Sequence, residues 1–136
     1  NNITEIIDDL YNIEQLLKKT DMLVIISKDD PNDSMIAYLK QLYSDEGIYV
    51  VIISIKRLQF DITKHILVPT YIKMNEQDII EFKQRYNIKS NADLPTISRF
   101  DAVSVVYGIR PGEIYKIIRS SKSSIIGVHY RYCVNM

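Results

Sequence analysis

Cysteine occurs once in 136 residues, at Cys133, and tryptophan not at all. A single thiol excludes a disulfide scaffold and any zinc site built on cysteine. Glycine and proline number four each, too few for a collagen-like or Gly/Pro-rich disordered chain. No apolar stretch approaches the ~20 residues that a membrane-spanning helix needs. The longest, residues 48–55, already contains Ser54. An excess of one charge is missing too: seventeen Lys and Arg balance seventeen Asp and Glu. That balance excludes a uniformly basic nucleic-acid binder and an acidic disordered tail. Residues 1–10 carry acids where a signal peptide would carry cations, so no secretory leader is expected and a reducing, intracellular setting is. The first residue is Asn rather than Met, and a start upstream of it is expected.

What is present is ordinary in amount, with 46% hydrophobic and 25% charged residues, the values of a globular protein. The length allows one domain or two small ones. Isoleucine is abundant, at 24 positions, and there are ten tyrosines. Ile, Asn, Lys and Tyr draw on AT-rich codons, which speaks to the source genome rather than to function. The neutral total hides a split. Residues 1–60 carry six basic and ten acidic side chains, residues 61–136 eleven and seven. Two mutually attracting halves, a C-terminal half facing an acidic partner, and ordinary surface variation all fit so small an excess.

The hydrophobic pattern divides the chain. Ile3, Ile6, Ile7, Leu10, Ile13, Leu16 and Leu17 recur at helical spacing, with Lys18 and Lys19 at the expected C-terminal end. Residues 22–27 read as a buried strand. A turn follows at 28–33, then a helix capped by Asp33 or Ser34 with Ile36, Leu39, Leu42 and Tyr43 on one face, ended by Gly47. Residues 48–55 are the next strand. Strand, helix, strand is a βαβ unit with a parallel pair. The lack of polar alternation in both strands predicts cover on both faces.

Further on, residues 58–62 fit strand or turn, and 65–69 an extended segment stopped by Pro69. Asn75 caps a predicted helix over 76–86, with Ile79, Ile80 and Phe82 as its apolar stripe. After a polar loop at 89–93 and a short extended piece at 94–97, Asp101 caps a brief helix over 102–107, ended by Gly108. Pro111-Gly112 is a turn. Residues 113–119 and 126–134 are strands joined by a turn at 120–124. The expected fold is α+β overall: a βαβ unit, then a small α+β module ending in a β-hairpin, divided at residues 1–62 and 63–136. Halves this small are marginal as independent cores.

Enzyme readings fail on inventory. The three close glycines of a dinucleotide site and the Gly/Lys/Ser pattern of a P-loop are both missing. His65 and His129 lie far apart in sequence with no poised serine, and His65 reads as a capping or partly buried residue. Asp29-Asp30 and Asp45-Glu46 sit in predicted turns, where carboxylates are simply solvated. A relic nuclease would need a carboxylate two residues before Lys56, where Ser54 stands. No catalytic residue, metal or cofactor is expected.

One set of segments is specific by its order and spacing. His65-Ile66-Leu67-Val68-Pro69 is followed by Leu94-Pro95-Thr96-Ile97 and Asp101-Ala102-Val103. Next comes Tyr107-Gly108-Ile109-Arg110-Pro111-Gly112-Glu113-Ile114-Tyr115-Lys116-Ile117-Ile118-Arg119, then Ser121 and the closing Tyr130-Arg131. Together they resemble the fifth-largest subunit of eukaryotic nuclear RNA polymerases, whose archaeal counterpart is essentially the C-terminal module alone. The resemblance is close over residues 63–136 and weaker over 20–62, where 21–27 resembles a strand of the family's N-terminal jaw. Departures are specific: Asp101-Ala102-Val103-Ser104 stands where the family has Asp-Pro-Val-Ala, and Arg110-Pro111 where it has a basic pair. Ser120-Ser121-Lys122-Ser123-Ser124-Ile125 replaces its Pro-Ser-Glu-Thr-Ala-Gly turn. These departures, a shortened jaw and the codon bias point to a copy from a large DNA virus, or from a divergent parasitic eukaryote.

The resemblance implies a non-catalytic polymerase subunit. Its C-terminal module would dock on the largest subunit, and the jaw remnant would lie near downstream duplex DNA. No membrane or small-molecule substrate is implied. The setting would be a virion or cytoplasmic viral factory for a viral copy, and the nucleus for a cellular one. On this reading Tyr107, Arg110, Lys116, Arg119, Tyr130 and Arg131 face the largest subunit. Gly108, Pro111 and Gly112 shape the turns, and Lys28 and Lys40 lie on the DNA side. The residues themselves allow a second reading. Arg110, Lys116, Arg119, Lys122 and Arg131 interleave with tyrosines, which also suits a free-standing nucleic-acid-binding module.

Overall fold

The computed structural model describes residues 3–121 and 123–136. Lys122, one of the cations expected around the closing hairpin, lies outside the described residues. The chain divides into two compact units between Leu58 and Gln59, where the sequence places the division after residue 62.

In the first unit, α1 (Ile3–Asp8) passes into a π-helical turn at Asp9–Ile13. The predicted helix was longer. Its periodicity runs on to Leu17, but Glu14 N–H bonds Asp9 O at 2.7 Å, five residues back, and Gln15 takes a left-handed φ of 51°. Ile13 and Leu16 are exposed, so no packing rewards further helix, and Lys18 and Lys19 lie beyond its end. Strand β1 (Met22–Ser27), helix α2 (Asp33–Glu46) and strand β2 (Tyr49–Ser54) form the expected βαβ unit, its strands paired in parallel from Met22↔Tyr49 to Ser27↔Ser54. The cap of α2 is Asn32, one residue before those expected. Its side chain accepts from Met35 N–H at 2.9 Å, and Ser34 Oγ donates to it. Gly47, at φ 74°, closes the helix with its N–H on Tyr43 O. Strand β2 is buried along nearly its whole length, but β1 alternates: Met22, Val24 and Ile26 are exposed. Cover on both faces thus holds for β2 and fails for β1, one face of which is open.

A 3-10 turn at Ile55–Gln59 straddles the division, and another at Ile62–Lys64 lies at the start of the second unit. Residues 65–69 are a turn rather than an extended segment. Val68 N–H bonds His65 O at 2.9 Å and Leu67 N–H bonds His65 Nδ1 at 3.2 Å. His65 is exposed and organises its own turn. The strand comes after Pro69, as β3 (Thr70–Lys73). Helix α3 (Glu76–Arg85) starts at Asn75, whose side chain accepts from Asp78 N–H at 2.8 Å. Phe82 is buried and Ile79 packs beside it, whereas Ile80 is exposed, off the stripe expected of it. A Ser90 capping box around Asn91–Asp93 leads to β4 (Thr96–Ser98), then α4 (Ala102–Tyr107), capped by Asp101 and ended by Gly108. Strands β5 (Ile114–Arg119) and β6 (Gly127–Val134) form the closing antiparallel hairpin.

That hairpin is the centre of a four-stranded sheet in the order β3-β5-β6-β4. β3 runs antiparallel to β5, and β4 parallel to β6. The result is α+β, as the sequence predicts, with two outer strands that the hairpin alone does not reveal.

Candidate functional site

The register of the hairpin assigns each candidate side chain to a face. Successive residues of a strand point to opposite sides, and directly opposed residues share one. Ile114, Lys116 and Ile118 stand opposite Tyr132, Tyr130 and Val128; Tyr115, Ile117 and Arg119 stand opposite Arg131, His129 and Gly127. The cations expected together therefore separate: Lys116 lies on one face with Tyr130, and Arg119 and Arg131 lie on the other.

Helix α3 covers the Lys116–Tyr130 face. The Phe82 ring lies 4.0 Å from that of Tyr130 and 5.2 Å from that of Tyr86, over a core of Met74, Leu94 and Ile114. Burial, with a contribution from nearby Tyr86, holds the Tyr130 phenol above its ordinary pKa, and Arg85 opposes that shift. Tyr130 is thus half core and half surface. Lys116 borders a cleft lined also by Asp78, Glu81 and Arg85 of α3 and by Lys73 of β3, so acids and cations mix around it.

The opposite face holds a second core of Ile97, Ile109, Tyr115 and Cys133, against which Tyr71 packs. Tyr107 of α4 stacks on Tyr71 at 5.7 Å. Burial is the main cause that raises the Tyr71 pKa, and it pushes the Cys133 thiol up to about 11. Arg131 is exposed, and its Nη1 donates to Thr96 O at 2.8 Å, tying β6 to β4. Arg119, also exposed, ends β5 at the hairpin tip, where Ile125 and Ile126 are exposed as well.

The turn glycines do what their spacing implies. Gly108 closes α4 at φ 62°. Arg110-Pro111-Gly112-Glu113 closes through Glu113 N–H to Arg110 O at 3.2 Å, with Gly112 at φ 96°. Pro followed by a positive-φ residue is the type II pattern. Sequence reasoning missed the Glu113 side chain as the centre of this corner. Its Oε2 accepts from Arg110 N–H at 3.0 Å and from Tyr115 O–H at 3.2 Å, and its Oε1 pairs with Lys73. The two-residue spacing of Glu113 and Tyr115 along a strand was the available signal; Lys73 was hidden because β3 was not foreseen.

In the first unit, Lys28 is exposed just past β1 and Lys40 is half-buried on α2. The parallel register carries the loop after β1 against the end of β2, where Asp29 pairs with Lys56 at 3.2 Å and Asp30 with Arg57 at 2.9 Å. These carboxylates balance local cations. Among the described residues, no three His, Cys, Asp or Glu side chains converge as metal ligands would, and no helix is long and apolar enough to cross a membrane.

An α+β module, built on a mixed sheet around a Tyr- and Arg-bearing hairpin, is the class that this geometry defines. Residues 60–133 match the family RNA polymerase Rpb5, C-terminal domain, and the chain belongs to that family. Similar proteins are the DNA-directed RNA polymerases I, II, and III subunit RPABC1 of Caenorhabditis briggsae and of Caenorhabditis elegans. Each is 36% identical over 77 residues, covering 57% of this chain and 36% of theirs. The Dictyostelium discoideum protein of that name is likewise 36% identical over 77 residues, covering 57% of this chain and 39% of its own. The match thus spans little more than a third of the relatives' length.

Proposed function

We propose that this chain is a non-catalytic subunit of a multisubunit DNA-directed RNA polymerase, with residues 63–136 as its assembly domain. The observation that carries the reading is the ordered set of segments from His65 to Arg131, which falls within the family match over residues 60–133. The relatives' names speak of RNA polymerase subunits, and no constellation among the described residues competes as a reaction centre. Docking on the largest subunit would use Arg119 and Arg131 on one face of the sheet, with Tyr107 beside them and Arg110 at the turn below. Lys116 and Tyr130 would contribute from the α3 side. Tyrosine and arginine suit this role because they combine contact area with hydrogen bonding. Residues 1–62 would be the jaw remnant, with Lys28 and Lys40 toward downstream duplex DNA, and the complex would work inside the cell.

The test is purification of the tagged full chain from its native source, with mass spectrometry of what accompanies it. Two very large polymerase subunits in near-equal amount are expected. Recovery of the chain alone, or with nucleic acid that salt removes, would refute the reading and favour a free-standing nucleic-acid binder. Arg119→Glu with Arg131→Glu is expected to reduce incorporation more than Lys28→Glu with Lys40→Glu. Equal losses would contradict the separation of docking and DNA sides.

A further inference from the structure

Strand β6 is paired along only part of its outer edge. On its inner side, Cys133 N–H donates to Glu113 O at 2.9 Å and Cys133 O accepts from Gly112 N–H at 3.0 Å. On its outer side, Tyr132 N–H donates to Pro95 O at 2.9 Å and Val134 O accepts from Arg99 N–H at 3.1 Å. Peptide groups alternate in this way along a strand, so Val128 and Tyr130 also present theirs outward. Strand β4 begins only at Thr96, opposite Tyr132. Among the described residues, Val128 and Tyr130 therefore form an edge with no strand beside it. Along that edge runs a groove of about 530 Å³, with Phe82, Tyr86, Leu94 and Pro95 among its apolar walls. Arg119 and Arg131 also line it, and no acid does.

We propose that this edge takes up an extended, acidic and apolar segment of a partner polypeptide as a further strand of the sheet. The inference rests on the polymerase-subunit reading, which makes the partner a large polymerase subunit. Outward peptide groups two residues apart select an extended backbone, since only another strand meets donor and acceptor in that rhythm. The apolar walls receive alternate side chains. Arg119, which forms no ion pair among the described residues, receives a carboxylate on the strand's other face. Exposed Ile125 and Ile126 continue the same surface at the hairpin tip.

The test uses the full chain with its large-subunit partners. Val128→Pro removes the outward N–H without touching the ladder to β5, a position where an edge strand tolerates proline. Val128→Thr keeps that N–H. With the urea midpoint near wild type, V128P is expected to recover the large subunits about tenfold less well, and V128T as well as wild type. The Val128 and Tyr130 amides should exchange freely in the isolated chain and slowly in the complex. If V128P fails to fold, this exchange measurement on the wild-type complex decides. Wild-type recovery by V128P, or unprotected amides in a complex that forms, would overturn the edge while leaving the polymerase reading intact. A wild-type chain that recovers no large subunit would overturn both. Association abolished by nuclease would make the ligand a nucleic acid and the proposal wrong.

Discussion

Phe82→Leu is the substitution that most directly measures what holds α3 on the sheet. Phe82 is 7% exposed and its ring lies 4.0 Å from that of Tyr130 and 5.2 Å from that of Tyr86. Leucine keeps the site apolar but loses ring volume and both aromatic contacts. The transfer and cavity cost of such a change is ~1–2 kcal/mol. The aromatic pair with Tyr130 adds ~0.5–1.5 kcal/mol. At ~0.05–0.15 kcal/mol per residue, a unit the size of residues 59–136 has only ~4–12 kcal/mol in all, so the loss is large without abolishing the fold. Equilibrium urea unfolding should show the midpoint falling by ~1–2 M, given an m-value of ~1–2 kcal/mol/M for a small protein. A double-mutant cycle with Tyr130→Leu should give a coupling of ~1 kcal/mol. A loss under ~0.5 kcal/mol with no measurable coupling would mean that α3 is held by Met74, Leu94 and Ile114, and that the ring stack is incidental. Because Phe82 and Tyr86 also wall the groove beside β6, the same variant should weaken partner binding in proportion.

Further predictions concern the buried thiol and the corner before β5. Burial moves the Cys133 thiol from 9.0 up to about 11, so the native state keeps a proton that the unfolded chain releases first. Its stabilisation is complete below pH ~9 and is lost as pH rises toward ~11, by up to ~3 kcal/mol. Tyr71 and Tyr130, also raised, act in the same sense at higher pH, so the check is a smaller slope of urea midpoint against pH in Cys133→Ala than in wild type. Gly112→Ala should cost ~1–2 kcal/mol by urea unfolding, although a Cβ there meets nothing within 4 Å. The strain comes from φ 96° alone, and Gly112→Asn should recover part of it.

Capping chemistry made most helices legible. Asn75, Asp101, Gly47 and Gly108 each mark an end where the structure has one, because the signal is local and the residue types are few. Elements whose stability comes from distant partners were not legible. Strand β3 is four residues, and its partner β5 lies more than forty positions further on, so nothing local distinguishes it from a loop. The open face of β1 was invisible for the opposite reason, since its apolar run looks the same whether or not anything covers it. For the candidate site, the residue types on the hairpin could be read, and strand parity alone would have put Lys116 and Arg119 on opposite faces. The α3 cover over Tyr130 and the shortness of β4 depend on tertiary register, and so does the bare edge at Val128 and Tyr130.

The outer strands of the four-stranded sheet carry a consequence for how the chain is made. β3 waits for β5, and β4 waits for the residues that follow Arg131. During synthesis, therefore, residues 70–98 emerge as helix and unpaired strand with no sheet to join. Only the β5–β6 hairpin of this sheet pairs segments close in sequence, and it is made after both outer strands. Loop closure across such spans is slow, and it exposes apolar strand while it waits. The second unit should consequently fold only once β6 has emerged, rather than element by element as residues 70–119 appear. A ribosome stalled before Tyr132 would hold the whole unit in a protease-sensitive state.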